Sequence, residues 1–228
     1  MMLQQIDKKK KIIGYLLFFF LLTTFNNLYF IKSNKFNLTN IYVNGLDERI
    51  NLKILQDLKI ITLENIFFLN KDFLKNVIES YDLVGSYKVK KIYPNSISVD
   101  IQKTEFLAIT YINNEKFLIG SNSKLIQYES SKKDLPIVFG KMEINNFLEL
   151  IEILKKSNFN IYDISEFYSY PSGRWDIKTK NNLLYKLPKE KLLSSLNFIN
   201  DINKNQNIED KNVIDLRNPN YLILSDEQ

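Results

Sequence analysis

Residues 91–103, K-I-Y-P-N-S-I-S-V-D-I-Q-K, decide the fold of this chain. After the turn residues 93–95, three apolar residues alternate with polar ones: Ile97, Val99 and Ile101. A period of two predicts a strand over 96–103, with one buried face and one solvated face. The stretch before the turn, 83–92, is basic and mixed, and it predicts a second strand beside the first.

Upstream of this strand pair, the pattern predicts one more strand and two helices. Residues 36–43 have the composition of a strand, and Asn44-Gly45 closes it as a turn. Residues 47–59 and 71–80 carry apolar side chains at helical spacing. The order is therefore β-α-α-β-β, which is typical of a compact α+β unit.

The N-terminal part of the chain has the pattern of a membrane anchor. Four lysines end its first segment: Lys8, Lys9, Lys10 and Lys11. The following run, 12–31, has no formal charge, and a helix of about 20 residues spans about 30 Å, the thickness of a bilayer's hydrocarbon core. We predict a cytoplasmic tail over 1–11, a transmembrane helix over 12–31 and an extracytoplasmic location for residues 32–228, since clustered lysines stay in the cytoplasm.

Two alternatives for the apolar run are a cleaved signal peptide and a buried core helix. A signal peptide also has a basic start and an apolar middle, but no small-x-small cleavage site follows this run. Four lysines directly before a helix that is apolar all round argue against burial in a soluble core. Both alternatives are weaker than the uncleaved anchor.

The remainder of the chain predicts a mixed β-sheet region with two helices. The predicted strands are 106–112, 116–119, 124–128, 162–168, 174–179, 183–187, 213–217 and 221–224. A helix over 144–156 has a clear apolar stripe. A second helix is predicted to begin at Pro188, where a missing N–H costs nothing, and a polar loop follows over 200–211. Four of the second helix's residues are predicted to face inward: Leu192, Leu193, Leu196 and Ile199.

The composition argues against a catalytic or metal-binding function. The chain of 228 residues contains neither Cys nor His, which removes thiolate chemistry, disulfides, the usual general base and the usual metal ligand. The visible acid pairs lie beside turns or termini: Asp47-Glu48, Asp163 with Glu166, and Asp226-Glu227. The six glycines are scattered and form no phosphate loop. We expect no catalytic, cofactor or metal site, and no nucleic-acid binding because the net charge of +5 comes without a cluster of arginines.

Several motifs together resemble a known family. A β-α-α-β-β unit that opens with I-x-V-x-G and closes with K-x-Y-P-x-x-I-x-V-x-I looks like a POTRA domain. Behind a single N-terminal anchor it resembles the bacterial cell-division family FtsQ/DivIB. The matching residues are Ile41, Val43, Gly45, Lys91, Tyr93, Pro94, Ile97, Val99 and Ile101, and further along Glu105 to Ala108, Lys124 to Ile126, Leu135-Pro136, Gly140 and Val213 to Arg217. The resemblance implies a single transmembrane helix, a POTRA domain over 36–104 and an FtsQ-type β-domain over 105–225.

The resemblance also implies a function in partner binding. Proteins of this family are single-pass inner-membrane proteins of the division septum, and they recruit an FtsB/FtsL-type pair to control septal peptidoglycan synthesis. The implied contact is the C-terminal strand at a sheet edge, Tyr221-Leu222-Ile223-Leu224, with Arg174 as a polar contact for an acidic helix of the partner. A partner segment could add to such an edge by main-chain hydrogen bonds. Tyr221 is the expected aromatic anchor, whereas Trp175 is expected in the core.

Other functions fit the sequence less well. A POTRA-bearing chaperone or transport component of envelope assembly is the alternative, but such proteins usually carry repeated POTRA units or a membrane barrel. A wall hydrolase with paired carboxylates would suit the same compartment, but the acid pairs are poorly positioned for it. For Arg174 the simpler interpretation is a solvated surface residue, because exposed ion pairs contribute little.

Overall fold

The computed structural model of the chain describes residues 8–24, 33–127, 134–157, 159–205, 212–218 and 221–225. The helices in these ranges are α1 (Lys8–Thr24), α2 (Glu48–Leu58), α3 (Lys71–Glu79), α4 (Ile144–Lys156) and α5 (Leu192–Asn205). The strands are β1 (Asn40–Asn44), β2 (Val84–Ile92), β3 (Ser96–Lys103), β4 (Phe106–Ile112), β5 (Glu115–Gly120), β6 (Leu125–Gln127), β7 (Ile137–Phe139), β8 (Ile164–Ser169), β9 (Trp175–Thr179), β10 (Leu184–Lys186), β11 (Val213–Asp215) and β12 (Ile223–Ser225).

Helix α1 contains 17 residues, and its described side chains, from Lys9 to Thr23, are all exposed. Within the described ranges, no helix is long and apolar enough to cross a membrane. The end of the predicted span, residues 25–31, lies outside the described part of the chain. The transmembrane helix therefore stays a prediction.

Two compact units make up the chain, residues 1–78 with 88–100 and residues 79–87 with 101–228. In the first, β1 runs parallel to β3 in a sheet of order β1-β3-β2. Helices α2 and α3 each bury one apolar stripe: Ile54 and Leu58 from α2, Leu74 and Ile78 from α3. The predicted β-α-α-β-β order is confirmed, and the predicted strand 96–103 has the observed bounds of β3.

The second unit is built on one mixed sheet. Its strand order in the described residues is β12-β11-β10-β9-β8-β7-β4-β5-β6. Helices α4 and α5 contribute to a single hydrophobic core with one face of this sheet. The centre of that core is aromatic: Phe147 of α4 packs edge-on against Phe167 of β8, with ring centroids 5.3 Å apart, and Trp175 of β9 lies beside both. Trp175 is a core residue, as predicted.

The structure corrects the predictions for the second helix of this unit. Helix α5 begins at Leu192 and not at Pro188, because the backbone before it is not helical. Leu187 N–H still donates to the Trp175 carbonyl at 3.1 Å, and Lys191 has a φ of +57°, which a right-handed helix cannot contain. The helix also continues to Asn205, through part of the predicted loop.

Other boundaries and side-chain positions differ in smaller ways. Leu193 is exposed, so the inward stripe of α5 rests on Leu196 and Ile199, with Leu192 partly buried. The first strand starts at Asn40 and not at Phe36, because residues 34–36 form a short 3-10 turn.

Candidate partner-binding edge

Strand β12 forms one margin of the sheet in the described residues. It pairs antiparallel with β11, with Ile223 opposite Asp215 and Leu224 opposite Ile214. Its side chains are unusually exposed for apolar residues: 53% for Ile223 and 37% for Leu224. Tyr221, just before the strand, is 69% exposed. An apolar strand therefore lies at the margin of a sheet with its side chains accessible.

Alternation distributes this segment over both faces of the sheet. Leu224 lies opposite the buried Ile214, and Leu222 packs partly against the same core. Because side chains alternate along extended backbone, Ile223 lies on the other face. One face of the segment thus packs against the core, which leaves Ile223 and the outer edge of the main chain accessible to a partner.

A groove lies between helix α5 and the segment that leads into β12. Its volume is about 360 Å³. The residues that line it are Pro188, Glu190, Lys191, Ser194, Ser195, Phe198, Leu216, Asn218, Tyr221 and Leu222. Phe198 is 49% exposed, so the groove presents an aromatic surface directly beside the edge. A strand added to β12 could insert a side chain there.

A row of charged side chains crosses the sheet and ends at the edge. The register joins Asp176 of β9 to Lys186 of β10, Lys186 to Asp215 of β11, and Asp215 to Ile223 of β12. Residues directly opposite on neighbouring strands lie on the same face, so the four side chains share one face. This face is opposite the core face, because the neighbouring residues Ile177 and Ile214 belong to the core. We call Asp176, Lys186 and Asp215, with Arg174 and Arg217, the charged row.

Arg174 is held at the inner end of the charged row. Its Nε lies 3.3 Å from Oδ1 of Asp176, and its guanidinium carbon lies 4.2 Å above the ring centre of Tyr170. Only 23% of the Arg174 side chain is exposed, and 2% of the Asp176 side chain. Arg174 therefore differs from the solvated surface residue of the simpler interpretation, because it neutralises a buried carboxylate.

Arg217 is the more accessible arginine and lies closer to the edge. Its Nε donates to both carboxylate oxygens of Asp215 at 2.9 Å, and one of its terminal nitrogens contacts the same carboxylate. The Arg217 side chain is 47% exposed, although Asp215 is largely buried. These hydrogen bonds lower the pKa of the Asp215 carboxyl and raise the pKa of the Arg217 guanidinium.

The other aspartate in the row is shifted in the opposite direction. Burial raises the pKa of the Asp176 carboxyl, and this effect exceeds the opposing influence of the Tyr170 hydroxyl and of the cations around it. The pKa of Tyr170 is raised in turn by burial and by the neighbouring Asp176. The row thus contains one carboxyl near the edge whose pKa is lowered and one further in whose pKa is raised.

The predicted contact residues fall into two groups. Tyr221, Leu222, Ile223 and Leu224 are contiguous at the edge, whereas Arg174 precedes β9, separated from β12 by two strands, or about 14 Å across the sheet. The sequence alone did not identify Phe198 as a neighbour of the edge, or Asp176 and Lys186 as members of the charged row. The alternation around Trp175 indicates that Asp176 points away from the core, but only the strand order shows what it faces.

The described residues contain no group of three or more acidic side chains that could hold a metal ion. The expected lack of a cofactor, a metal and a catalytic residue stays a prediction. The features that the geometry does supply are an accessible strand, a groove and a charged surface, which are features of a binding site.

Two protein-family models match most of the described chain. The model of the POTRA domain, FtsQ-type, matches residues 36–103, and the model of the cell division protein FtsQ/DivIB, C-terminal, matches residues 108–217. The chain belongs to the FtsQ/DivIB family. Strand β12 lies beyond both matched segments, so the case for the edge in this family member rests on its own geometry.

Individual proteins agree with the family assignment. A cell division protein FtsQ of Rickettsia typhi is 27% identical over 203 residues, which cover 81% of this chain and 71% of the relative. The one from Rickettsia bellii is 29% identical over 195 residues, covering 81% and 70%. The solved major extracytoplasmic domain of DivIB from Geobacillus stearothermophilus aligns with 46% of this chain and 99% of that domain, at 15% identity and a TM-score of 0.34. That level of structural similarity adds no argument.

Proposed function

We propose that this chain is a membrane-anchored cell-division protein that captures a partner by strand addition at β12. The proposed partner is an FtsB/FtsL-type pair of single-pass division proteins, and its recruitment would help to control septal peptidoglycan synthesis. The chain would act as a scaffold without catalysis. The observation that carries the proposal is the apolar, exposed strand at the margin of the sheet.

An edge strand of this composition needs an explanation. Natural sheets protect their edges with charges, prolines or covering segments, because unpaired N–H and C=O groups recruit other strands. Strand β12 and the two residues before it read Tyr-Leu-Ile-Leu-Ser, with neither a charge nor a proline. Such an edge is suited to a partner that covers it, since main-chain hydrogen bonds supply affinity.

Side chains around the edge could supply specificity. Tyr221 and Phe198 line the groove of about 360 Å³, where an apolar side chain of the added strand would be buried. On the other face, Arg217 is exposed beside the edge and Arg174 lies further along the charged row. We propose that an acidic segment of the partner meets Arg217 first and extends towards Arg174.

The N-terminal segment would act as the anchor. Residues 12–31 carry no charge and follow four lysines, which favours a single span with a cytoplasmic N-terminus at the inner membrane of the septum. An anchor of this kind confines the binding edge to the plane in which single-pass partners also lie. That raises their effective concentration without any additional contact.

Proline substitution tests the proposed edge. Ile223→Pro removes one N–H and rigidifies the backbone of β12, so we expect capture of an FtsB-type protein in a pull-down to fall at least about tenfold. The matched control is Gln127→Pro, at the exposed end of β6 on the opposite margin of the same sheet, which should leave capture unchanged. Both variants should keep the wild-type circular dichroism spectrum. Undiminished capture by folded Ile223→Pro would refute strand addition at β12.

A further inference from the structure

A second exposed apolar surface lies in the first unit, far along the chain from β12. It is formed by residues 33–39, 59–68 and 91–95, and we call it the POTRA apolar end. Its exposed side chains are Ile60 at 74%, Leu63 at 73%, Phe68 at 65%, Tyr93 at 57%, Ile92 at 47% and Phe67 at 40%. Large apolar side chains gathered on one surface are a mark of an interaction site.

Main-chain hydrogen bonds tie the three segments together, and Thr39 N–H joins the first to the third by donating to the Asn95 carbonyl at 2.8 Å. Leu38 N–H donates to the Glu64 carbonyl at 2.8 Å, Leu63 N–H to the Leu38 carbonyl at 2.9 Å, and Ile66 N–H to the Phe36 carbonyl at 2.8 Å. The segments 36–38 and 63–66 therefore lie side by side. The surface is a built feature of the fold and does not depend on one loop.

Aromatic rings continue the same surface to the β2–β3 turn. The ring of Phe67 lies between those of Phe36 and Tyr93, with centroid distances of 5.2 and 5.3 Å. Phe67 also contacts the strand that leads into this turn, because Lys91 Nζ of β2 lies 3.5 Å from its carbonyl oxygen. The rings thus connect the chain entry at Phe36 to the turn at Tyr93.

Leu63 is an unfavourable residue for its backbone conformation. Its φ of +79° lies in the left-handed region, where Gly or Asn is favoured and a leucine is strained. Its side chain is also 73% exposed, so little packing within the chain offsets that strain. The fold uses the backbone at this position, since Leu63 N–H donates to Leu38, but it makes little use of the leucine side chain. That is a reason to look for a function of the side chain.

The charges of the POTRA apolar end are mainly positive. Its three segments contain Lys35, Lys59 and Lys91 but only one acid, Glu64, and all four side chains are exposed. Exposed aromatic and aliphatic side chains surrounded by lysines are the composition of surfaces that lie in the headgroup region of an anionic membrane.

We propose that the POTRA apolar end lies on the outer surface of the membrane, with Leu63 and Phe68 among the lipid headgroups. The proposal rests on the membrane anchor of the proposed function. Phe36 follows Ile31, the last residue of the uncharged run, by five residues, which reach at most about 18 Å when extended. Chain connectivity thus keeps this surface near the bilayer, whatever partner the second unit binds. The lysines would meet anionic headgroups, and the first unit would be held at the membrane by its own surface.

A lipid-quenching measurement on the full chain tests the proposal. The chain has no cysteine, so Leu63→Cys carries a single environment-sensitive fluorophore after reconstitution into nanodiscs of phosphatidylethanolamine and phosphatidylglycerol. Arg49→Cys is the matched control, because Arg49 is exposed at the start of α2, about 15 Å along that helix from Lys59. We expect headgroup-nitroxide lipids to quench the label at position 63 at least about twofold more than the label at 49.

A second variant removes the proposed contact without altering the reporter. Phe68→Glu in the labelled Leu63→Cys chain should reduce quenching to that of the control position. Leu52→Glu, at an exposed leucine of α2 (51% against 65% for Phe68), should leave it unchanged. Replacing phosphatidylglycerol by phosphatidylcholine should also weaken quenching, because the lysines lose their anionic partners.

The outcomes separate this proposal from the one on which it rests. A chain that fails to incorporate into nanodiscs contradicts the anchor, and the membrane contact with it. A chain that incorporates but shows equal quenching at positions 63 and 49 contradicts the membrane contact alone. Protection of the label from aqueous iodide without lipid quenching, on addition of another division protein, also overturns the proposal and assigns the surface to a protein partner.

Discussion

At the scale of single residues, the charged row shows how the environment shifts the pKa values of two aspartates in opposite directions. Asp176 and Asp215 lie on the same face of the sheet with Lys186 between them. Asp215 receives two hydrogen bonds from Arg217 Nε, whereas Asp176 is 1% exposed and has the more distant Arg174 as its cation. Desolvation dominates for Asp176 and hydrogen bonding for Asp215, so their pKa values are shifted in opposite directions.

This separation predicts two different titrations. Carbon-detected NMR of the carboxyl groups should give an apparent pKa above the ordinary value of 3.8 for Asp176 and below it for Asp215. Arg217→Gln should return the pKa of Asp215 towards 3.8, because the guanidinium is the main cause of its shift. Lys180→Gln, which removes a more exposed ion pair with Asp134, is the control and should change neither titration.

The two shifts have opposite consequences for stability. Asp215 stabilises the fold above 3.8, and that contribution disappears as the pH falls through its lowered folded-state pKa. Asp176 destabilises the fold as the pH rises from 3.8 through its raised pKa, and this cost is absent at lower pH. Coincident titration of both carboxyls near 3.8 would contradict the described environments.

The sequence predicted only part of this residue-scale structure. Trp175 was correctly expected in the core, and alternation along its strand indicates that Ile177 shares that face and Asp176 lies on the opposite one. It gave no sign that Asp176 is buried there. Tyr170, Arg174 and Lys186 interact with its carboxyl, and the lysine lies opposite the aspartate because of the register of β9 with β10.

At the scale of secondary-structure elements, a turn can be predicted from the sequence where its residues favour the backbone conformation that the turn needs. Asn113-Asn114 between the predicted strands 106–112 and 116–119 indicates a hairpin turn, because Asn tolerates a positive φ. The φ values of +51° and +66° between the antiparallel strands β4 and β5 confirm it. The prediction for Pro188 was wrong, because a proline that is acceptable at the start of a helix is equally acceptable in an extended segment. The hydrogen bond from Leu187 to Trp175 keeps the chain extended at this point, and local propensity does not predict that bond.

The end of β7 depends on a glycine for two reasons. Gly140 has a φ of +89°, and a β-carbon there would lie 2.2 Å from the Ser169 carbonyl oxygen of the neighbouring strand β8. Gly140→Ala should therefore lower the free energy of unfolding by about 3 kcal/mol or more, from backbone strain together with the displaced strand. Chemical denaturation of the two proteins would measure this difference.

Gly173 provides the control for that substitution. Its φ is +80°, but a β-carbon would meet nothing closer than the Lys189 side chain at 3.6 Å. Gly173→Ala should cost only the backbone strain, about 1 kcal/mol. Equal losses for the two variants would show that the contact with Ser169 contributes nothing, contrary to the described geometry.

At the scale of the whole molecule, the sequence predicted the elements better than their arrangement. The helix over 144–156 and the strands over 96–103 and 106–112 have the predicted bounds. The order of the larger sheet does not follow from any local pattern, because β7 pairs in parallel with both β4 and β8. The position of β12 at a margin follows from that order, so from the residues alone it could only be inferred through the family resemblance.

Strand addition at β12 is the central claim, and amide hydrogen exchange tests it most directly. Exchange at residues 221–225 is measured by mass spectrometry with and without an FtsB-type protein, and β6 on the opposite margin is the internal reference. New main-chain hydrogen bonds should slow exchange at 221–225 at least about tenfold and leave β6 unchanged. Partner binding that leaves exchange at 221–225 unaltered, with protection appearing elsewhere, would contradict strand addition at this edge.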